Sequence, residues 1–81
     1  MSNRPGRDIL RESWLNCFVR PIPGSNLPFE IGQVVRQFPS PTPAGITQTV
    51  FDIHKFEARG ESRHPTGIVI YVVPAWSVER A

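Results

Sequence analysis

The sequence predicts a mainly β fold: a small antiparallel β-barrel or sandwich of four or five strands, with one short N-terminal helix as an option. Nine prolines interrupt the 81 residues at intervals that exclude long helices. The longest proline-free interval, residues 44–64, begins with β-branched and aromatic residues, which favour strands. Two further segments alternate apolar and polar residues with the period of a strand.

The chain has the length of a single domain, which we assign to residues 1–81. A chain of this size buries only about 60% of its exposable surface on folding. Cys17 is the only cysteine, so no internal disulfide can compensate, and we expect a reducing, cytoplasmic compartment. The N-terminal residues have no apolar signal region, and no apolar run reaches the roughly 18 residues of a membrane span. We therefore expect no membrane association.

The first elements lie before the first turn. Residues 6–16, "GRDILRESWLN", are compatible with a short helix that begins near Asp8. Residues 13–21, "SWLNCFVRP", alternate as a strand and end at the turn-forming sequence "PIPGSN" of residues 21–26. This strand would have two faces: Leu15, Cys17 and Val19 on one, and Trp14, Asn16, Phe18 and Arg20 on the other.

Residues 27–38, "LPFEIGQVVRQF", fit either a strand or a helix. Gly32 would cost a helix interior about 1 kcal/mol, and valines prefer strands, so we predict a strand with Phe29, Ile31 and Val35 on one face. The proline-rich residues 38–45, "FPSPTPAG", predict a rigid, extended connector. The alternative is a ligand for an aromatic groove, although a spaced PxxP core is missing.

The last predicted elements form an antiparallel hairpin, residues 45–56 and 66–74, joined by a long polar loop. In the second strand, "TGIVIYVVP", both faces are apolar: Ile68, Ile70 and Val72 on one, and Val69, Tyr71 and Val73 on the other. Such a strand is typical of the centre of a closed barrel or sandwich, or of a surface covered by another chain. We therefore expect both of its faces to be covered.

No residue pattern indicates catalysis, a metal or a cofactor. Cys17, His54 and His64 do not fall in a metal-ligand spacing. Cys17 lies between apolar residues, as a buried structural thiol would. The chain has no GxSxG, phosphate-loop or dinucleotide motif. An enzyme that pairs Cys17 or a serine with a histidine is our third hypothesis.

Nucleic-acid binding is the second hypothesis, because aromatic and arginine side chains together can stack on bases and neutralise phosphates. Trp14, Phe18 and Arg20 share one predicted strand face, and Arg36 and Phe38 share another. The alternative is that these aromatic residues form the core. The net charge of +2 is small and the eight arginines are scattered, which does not demand such a partner.

The first hypothesis is a small non-enzymatic accessory, assembly or inhibitory protein, of the kind that phages and plasmids encode. It would bind another protein surface or form a homo-oligomer. The predicted binding residues, for a protein or for nucleic acid, are Arg59, Arg63, Trp14, Phe18, Arg20 and Tyr71. The polar segment of residues 54–67 is best explained as a solvated hairpin loop. The alternative makes Arg59 and Arg63 contact residues at its tip.

Overall fold

The computed structural model describes residues 10–81, which form one five-stranded antiparallel sheet. The strands are β1 (Phe18–Pro21), β2 (Ile31–Pro41), β3 (Thr47–Arg59), β4 (Ser62–Pro74) and β5 (Val78–Arg80), with a 3-10 turn at Ala75–Ser77. Their order in the sheet is β4-β3-β2-β1-β5. The prediction of a mainly β fold with antiparallel strands is confirmed. Among the described residues β4 and β5 do not pair, so the sheet is not closed into a barrel.

The hydrophobic core lies on one side of this sheet, which we call the core face; the opposite side is the outer face. Fully or nearly fully buried side chains on the core face come from all five strands and the segments between them: Val19, Phe29, Val34, Phe51, Ile53, Val73, Ala75 and Val78. Leu10, Trp14, Leu27 and Ile70 pack against them. A segment before β1 and a segment before β2 thus cover the core that a single sheet could not enclose.

Gly32 lets β2 approach β3 closely at the centre of the sheet. A Cβ atom at this position would overlap the Ile53 Cγ2 methyl group and lie 3.0 Å from the His54 carbonyl oxygen. The glycine that argues against a helix in the sequence is therefore needed for strand packing.

The hairpin of β3 and β4 is longer than predicted. Arg59 pairs with Ser62, so the connection is the two-residue turn Gly60–Glu61, with Gly60 at a φ of 61°. The predicted long loop is wrong because the two strands continue as a ribbon beyond the core. There both faces meet solvent, so most positions are polar and the alternating pattern disappears.

The segment before β1 differs from its predictions. Residues 10–16 contain no helix, and residues 6–9 of the predicted helix lie outside the described part of the chain. Strand β1 begins only at Phe18, because Asn16 has a φ of 67° and the Cys17 N–H closes a turn onto the Trp14 carbonyl oxygen. The predicted strand over residues 13–21 is thus confirmed only in its last four residues.

The proline-rich residues 38–45 join β2 to β3, and residues 38–41 are the end of β2 itself. The Thr42 N–H donates to the Ile46 carbonyl oxygen across the hairpin. Because alternate residues point their N–H groups to the same side, the nitrogens of Pro39 and Pro41 face the open edge of β2. The prolines therefore remove no hydrogen bond from the ladder with β3.

Candidate functional site

An irregularity in β4 presents two neighbouring side chains to solvent. Ile53 pairs with Ile70 and Phe51 pairs with Val73, so Tyr71 and Val72 both lie opposite Asp52 in a β-bulge. Ile70 and Val73 contact the core, whereas Tyr71 is 69% exposed and Val72 is 53% exposed. The prediction that β4 is covered on both faces is wrong for the single chain. It is an edge strand with one covered face.

A second bulge lies at the same level in β2, on the other side of β3. Val34 pairs with Ile53 and Arg36 pairs with Asp52, which leaves Val35 as the extra residue. Val34 is fully buried, and Val35 is 45% exposed. The prediction groups Val35 with Phe29 and Ile31, which are buried, whereas Val35 is exposed. Alternation from the buried Val34 already places Val35 on the outer face. The bulge then turns Arg36, which would otherwise share the face of Val34, to the outer face as well.

The two bulges flank one residue of β3 and create a continuous row across three strands. We call this row the bulge patch: Val35, Arg36, Asp52, Tyr71 and Val72. Its side chains lie on the outer face, and apart from Asp52 all of them are exposed.

The Asp52 carboxylate anchors the bulge patch from below. Asp52 is only 5% exposed, and its Oδ1 accepts a hydrogen bond of 3.0 Å from the Val72 N–H. Its Oδ2 lies 3.9 Å from Nη1 of Arg36. This carboxylate therefore fixes the β4 bulge and places an arginine over the centre of the row. Burying a carboxylate is costly unless it is compensated in this way.

Arg36 is held from a second side by Phe38. The Cζ atom of Arg36 lies 4.6 Å from the centre of the Phe38 ring, within the range of a cation–π contact. The Arg36 side chain is nevertheless 68% exposed. It is an arginine with a defined position and an accessible guanidinium group.

Val72 has a backbone conformation that is unfavourable for its type. Its φ is 57°, in the left-handed region. The other two non-glycine residues with positive φ among residues 10–81 are Asn16 and Asn26, and asparagine tolerates this region. A β-branched residue there is strained, and strained residues concentrate at functional sites.

We expect Val72→Asn to raise the free energy of unfolding by about 1 kcal/mol, because asparagine relieves the left-handed strain and the lost side chain is half exposed. The matched control is Val35→Asn, an exposed valine of β2 without positive φ. It should lower stability by a few tenths to about 1 kcal/mol through reduced strand preference. Urea denaturation of both variants tests this, and a destabilised Val72→Asn protein would contradict the strain.

Trp76 extends the exposed surface along the outer face of β3. It is 59% exposed, and its indole N–H donates to the Gln48 side-chain oxygen at 3.1 Å. Gln48, Val50 and Asp52 alternate along β3 and share the outer face. Val50 is fully buried although it is not part of the core cluster, so the outer face also excludes water locally.

Of the predicted binding residues, Trp14 and Phe18 have rings that contact other side chains of the chain. Trp14 stacks on Phe51 with ring centres 5.6 Å apart, and Arg80 lies 4.6 Å from the Trp14 ring centre. Phe18 packs edge-on against Phe56 at 5.0 Å. The Arg63 guanidinium lies 4.7 Å from the Phe18 ring centre. These aromatic–arginine contacts are intramolecular.

Arg20 and Arg59 are paired with glutamates on the surface. Arg20 donates to Glu79 at 2.6 Å, and Arg59 lies 3.4 Å from Glu57 near the hairpin tip. Tyr71 is the predicted residue that belongs to the bulge patch. Of the six predicted residues, Phe18 and Arg63 contact each other, but the six do not meet at one place.

Sequence reasoning missed Val35, Asp52 and Val72 as members of an exposed site. A weak signal existed in the stretches "VVR" (residues 34–36) and "YVV" (residues 71–73), in each of which two consecutive valines interrupt the alternation of apolar and polar residues. Such a doublet marks either a buried strand or a bulge, and only the register with β3 distinguishes the two.

The residues considered for chemistry have structural contacts. His54 accepts a hydrogen bond at Nε2 from the Gly67 N–H, 3.1 Å away, and its ring packs on Phe56. Cys17 is half-buried rather than buried, and its carbonyl oxygen accepts from the Val34 N–H. Within residues 10–81, no three His, Cys, Asp or Glu side chains are grouped as metal ligands.

A shallow groove of about 620 Å³ lies beside the hairpin, between residues 27–30 and residues 55–58. It is open and mixed in character, and its wall includes Glu30, Lys55 and Glu57. Specific small-molecule pockets are more enclosed and more apolar than this. The bulge patch is the better candidate site.

The chain matches no protein-family model, no curated protein sequence and no solved structure. Over residues 10–81, no helix is long and apolar enough to cross a membrane.

Proposed function

We propose that this chain is a non-enzymatic accessory or assembly protein that binds another protein through the bulge patch. The observation that carries the proposal is the exposed pair Tyr71 and Val72, presented by a bulge in which Val72 is strained. Tyrosine, tryptophan and arginine are the side chains that most often dominate binding energy in protein interfaces. The patch and its extension contain one of each: Tyr71, Trp76 and Arg36.

The backbone edge of β4 is a poorer binding element than its outer face. Adding a partner strand requires a regular row of free N–H and C=O groups. In β4 that row is interrupted by the bulge at Tyr71 and Val72, by a second irregularity opposite Lys55, and by Pro65 and Pro74. Bulges and prolines on edge strands prevent strand addition. We therefore place recognition in side chains rather than in main-chain pairing.

The variant that tests this proposal is Tyr71→Ser combined with Val72→Asn, which removes both apolar side chains of the β4 bulge. It should fold, because both positions are exposed. Its affinity for a protein partner should be at least tenfold lower than that of the unmodified chain. The control is Leu15→Ser, at a position 48% exposed in the segment before β1. Leu15→Ser should bind like the unmodified chain.

Binding is measured by immobilising the three proteins and quantifying what each retains from the source cell extract. Sedimentation velocity tests whether the partner is a second copy, and a 20-nucleotide oligo-dT tests the nucleic-acid hypothesis. Equal retention by all three proteins would contradict the proposal that the bulge patch is the binding surface. If the unmodified chain binds oligo-dT and the double variant does not, the partner of the patch is nucleic acid and not a protein.

A further inference from the structure

We propose that the bulge patch recognises an acidic side chain of the partner, flanked by apolar residues, and that Arg36 is the group that binds the carboxylate. This inference rests on the proposed function, because it assumes that the patch is the binding surface. It adds the chemistry of the partner.

The geometry of Arg36 supports a carboxylate ligand. A guanidinium group has five N–H donors in a plane that fits the two oxygens of a carboxylate. Nη1 of Arg36 lies 3.9 Å from Asp52 Oδ2, which is beyond hydrogen-bond distance. The described residues contain no acceptor hydrogen-bonded to the Arg36 side chain. Its donors therefore remain available to a partner.

Arg36 is also preorganised, which lowers the entropy lost on binding. Phe38 lies under one side of the guanidinium, and the buried Asp52 attracts it from the centre of the row. By contrast, Arg20, Arg59 and Arg80 each form an ion pair with an exposed glutamate of the chain, so an incoming carboxylate would have to compete.

The charge and shape around Arg36 select the class of partner. A two-fold contact between two copies of the patch would bring two Arg36 side chains together, which like-charge repulsion disfavours. Val35 and Val72 in the row offer aliphatic contact, and Tyr71 is the one aromatic side chain of the patch. The neighbouring Phe38 ring is occupied by the Arg36 guanidinium, so the patch has no run of free aromatic rings on which successive bases could stack. We therefore expect an acidic residue between apolar residues of a different protein.

The experiment uses two capped pentapeptides that differ at one position: a glutamate, or a glutamine, between pairs of leucines. Each is titrated into the nitrogen-15-labelled chain while amide shifts are recorded. The glutamate peptide should shift the amides of Val35, Tyr71 and Val72 with an affinity about tenfold higher than the glutamine peptide, which is the size of a charge-assisted contact.

Two arginine variants serve as a matched pair. Arg36→Gln should abolish the preference for glutamate, whereas Arg63→Gln should retain it, because Arg63 lies over Phe18 outside the bulge patch. If Arg36→Gln does not fold, Arg36→Lys takes its place, because it keeps a positive charge above Asp52. Arg36→Lys should retain only a small part of the preference for glutamate, since the planar fork of the guanidinium is lost.

The outcomes separate this inference from the proposed function. Equal binding of both peptides at the patch would overturn acidic recognition and leave the patch as a protein-binding surface. Shifts confined to other residues, or an unchanged preference in Arg36→Gln, would also overturn it. If oligo-dT shifts the patch amides at lower concentration than the glutamate peptide, and Arg36→Gln removes that effect, the ligand is a phosphate backbone and the inference fails.

Discussion

Gly32→Ala is expected to lower the free energy of unfolding by about 3 kcal/mol or more, the upper end of the cost of overpacking a well-packed interior. The added Cβ atom would overlap the Cγ2 methyl of Ile53 and lie 3.0 Å from the His54 carbonyl oxygen. Both neighbours belong to β3, an interior strand that pairs with β2 and β4, so neither can move without disturbing the sheet. Urea denaturation followed by circular dichroism measures the change.

Two further variants identify the cause. Gly45→Ala, in the β2–β3 turn, has open space around it and a φ of 79°, so it should cost only about 1 kcal/mol. Ile53→Leu removes the Cγ2 methyl, and Gly32→Ala combined with Ile53→Leu should be less destabilised than the two single changes add up to. A Gly32→Ala protein as stable as Gly45→Ala would show that β2 and β3 are not so closely packed.

Phe51→Ala should cost about 3–5 kcal/mol, the usual loss for truncating a buried phenylalanine. Phe51 is fully buried and stacks on Trp14, so the change leaves a cavity and frees the indole. A chain of this length has a total stability of about 4–12 kcal/mol. We therefore expect a largely unfolded or strongly destabilised protein, seen as a shift of the tryptophan fluorescence in water.

The control for Phe51→Ala is Tyr71→Ala, an aromatic residue on the opposite face of the neighbouring strand. Because Tyr71 is mostly exposed, its truncation should change stability by less than about 0.5 kcal/mol. If Tyr71→Ala were as harmful as Phe51→Ala, the outer face of the isolated protein would have to be covered. A mass in solution above that of the monomer would then show that a second copy covers it.

The strands were predictable where one face is core and the other is solvent. Proline spacing excluded helices, and the valines after Gly32 favoured a strand over the ambiguous helix. Three local features could not be read from the pattern. They are the left-handed Asn16 that delays β1, the two-residue turn at Gly60, and the ribbon beyond the core, whose polar residues resemble a loop.

The candidate site was predictable only in Tyr71 and Arg36. Its other members depend on two bulges at the level of Asp52, and a bulge reverses the faces of the residues after it without changing their composition. Trp14 and Phe18, which the alternating pattern placed on one binding face, contact Phe51 and Phe56, because the turn at Asn16 interrupts the strand between them.

The placement of Pro39 and Pro41 has a consequence for a protein that exposes an apolar patch. Surfaces of this kind tend to aggregate when a free strand edge beside them can template the growth of a fibril. The open edge of β2 lacks an N–H donor at Pro39 and at Pro41, and at the far side of the sheet β5 is only three residues long. The prolines of β2 and the shortness of β5 therefore act against fibril-like association at these two edges.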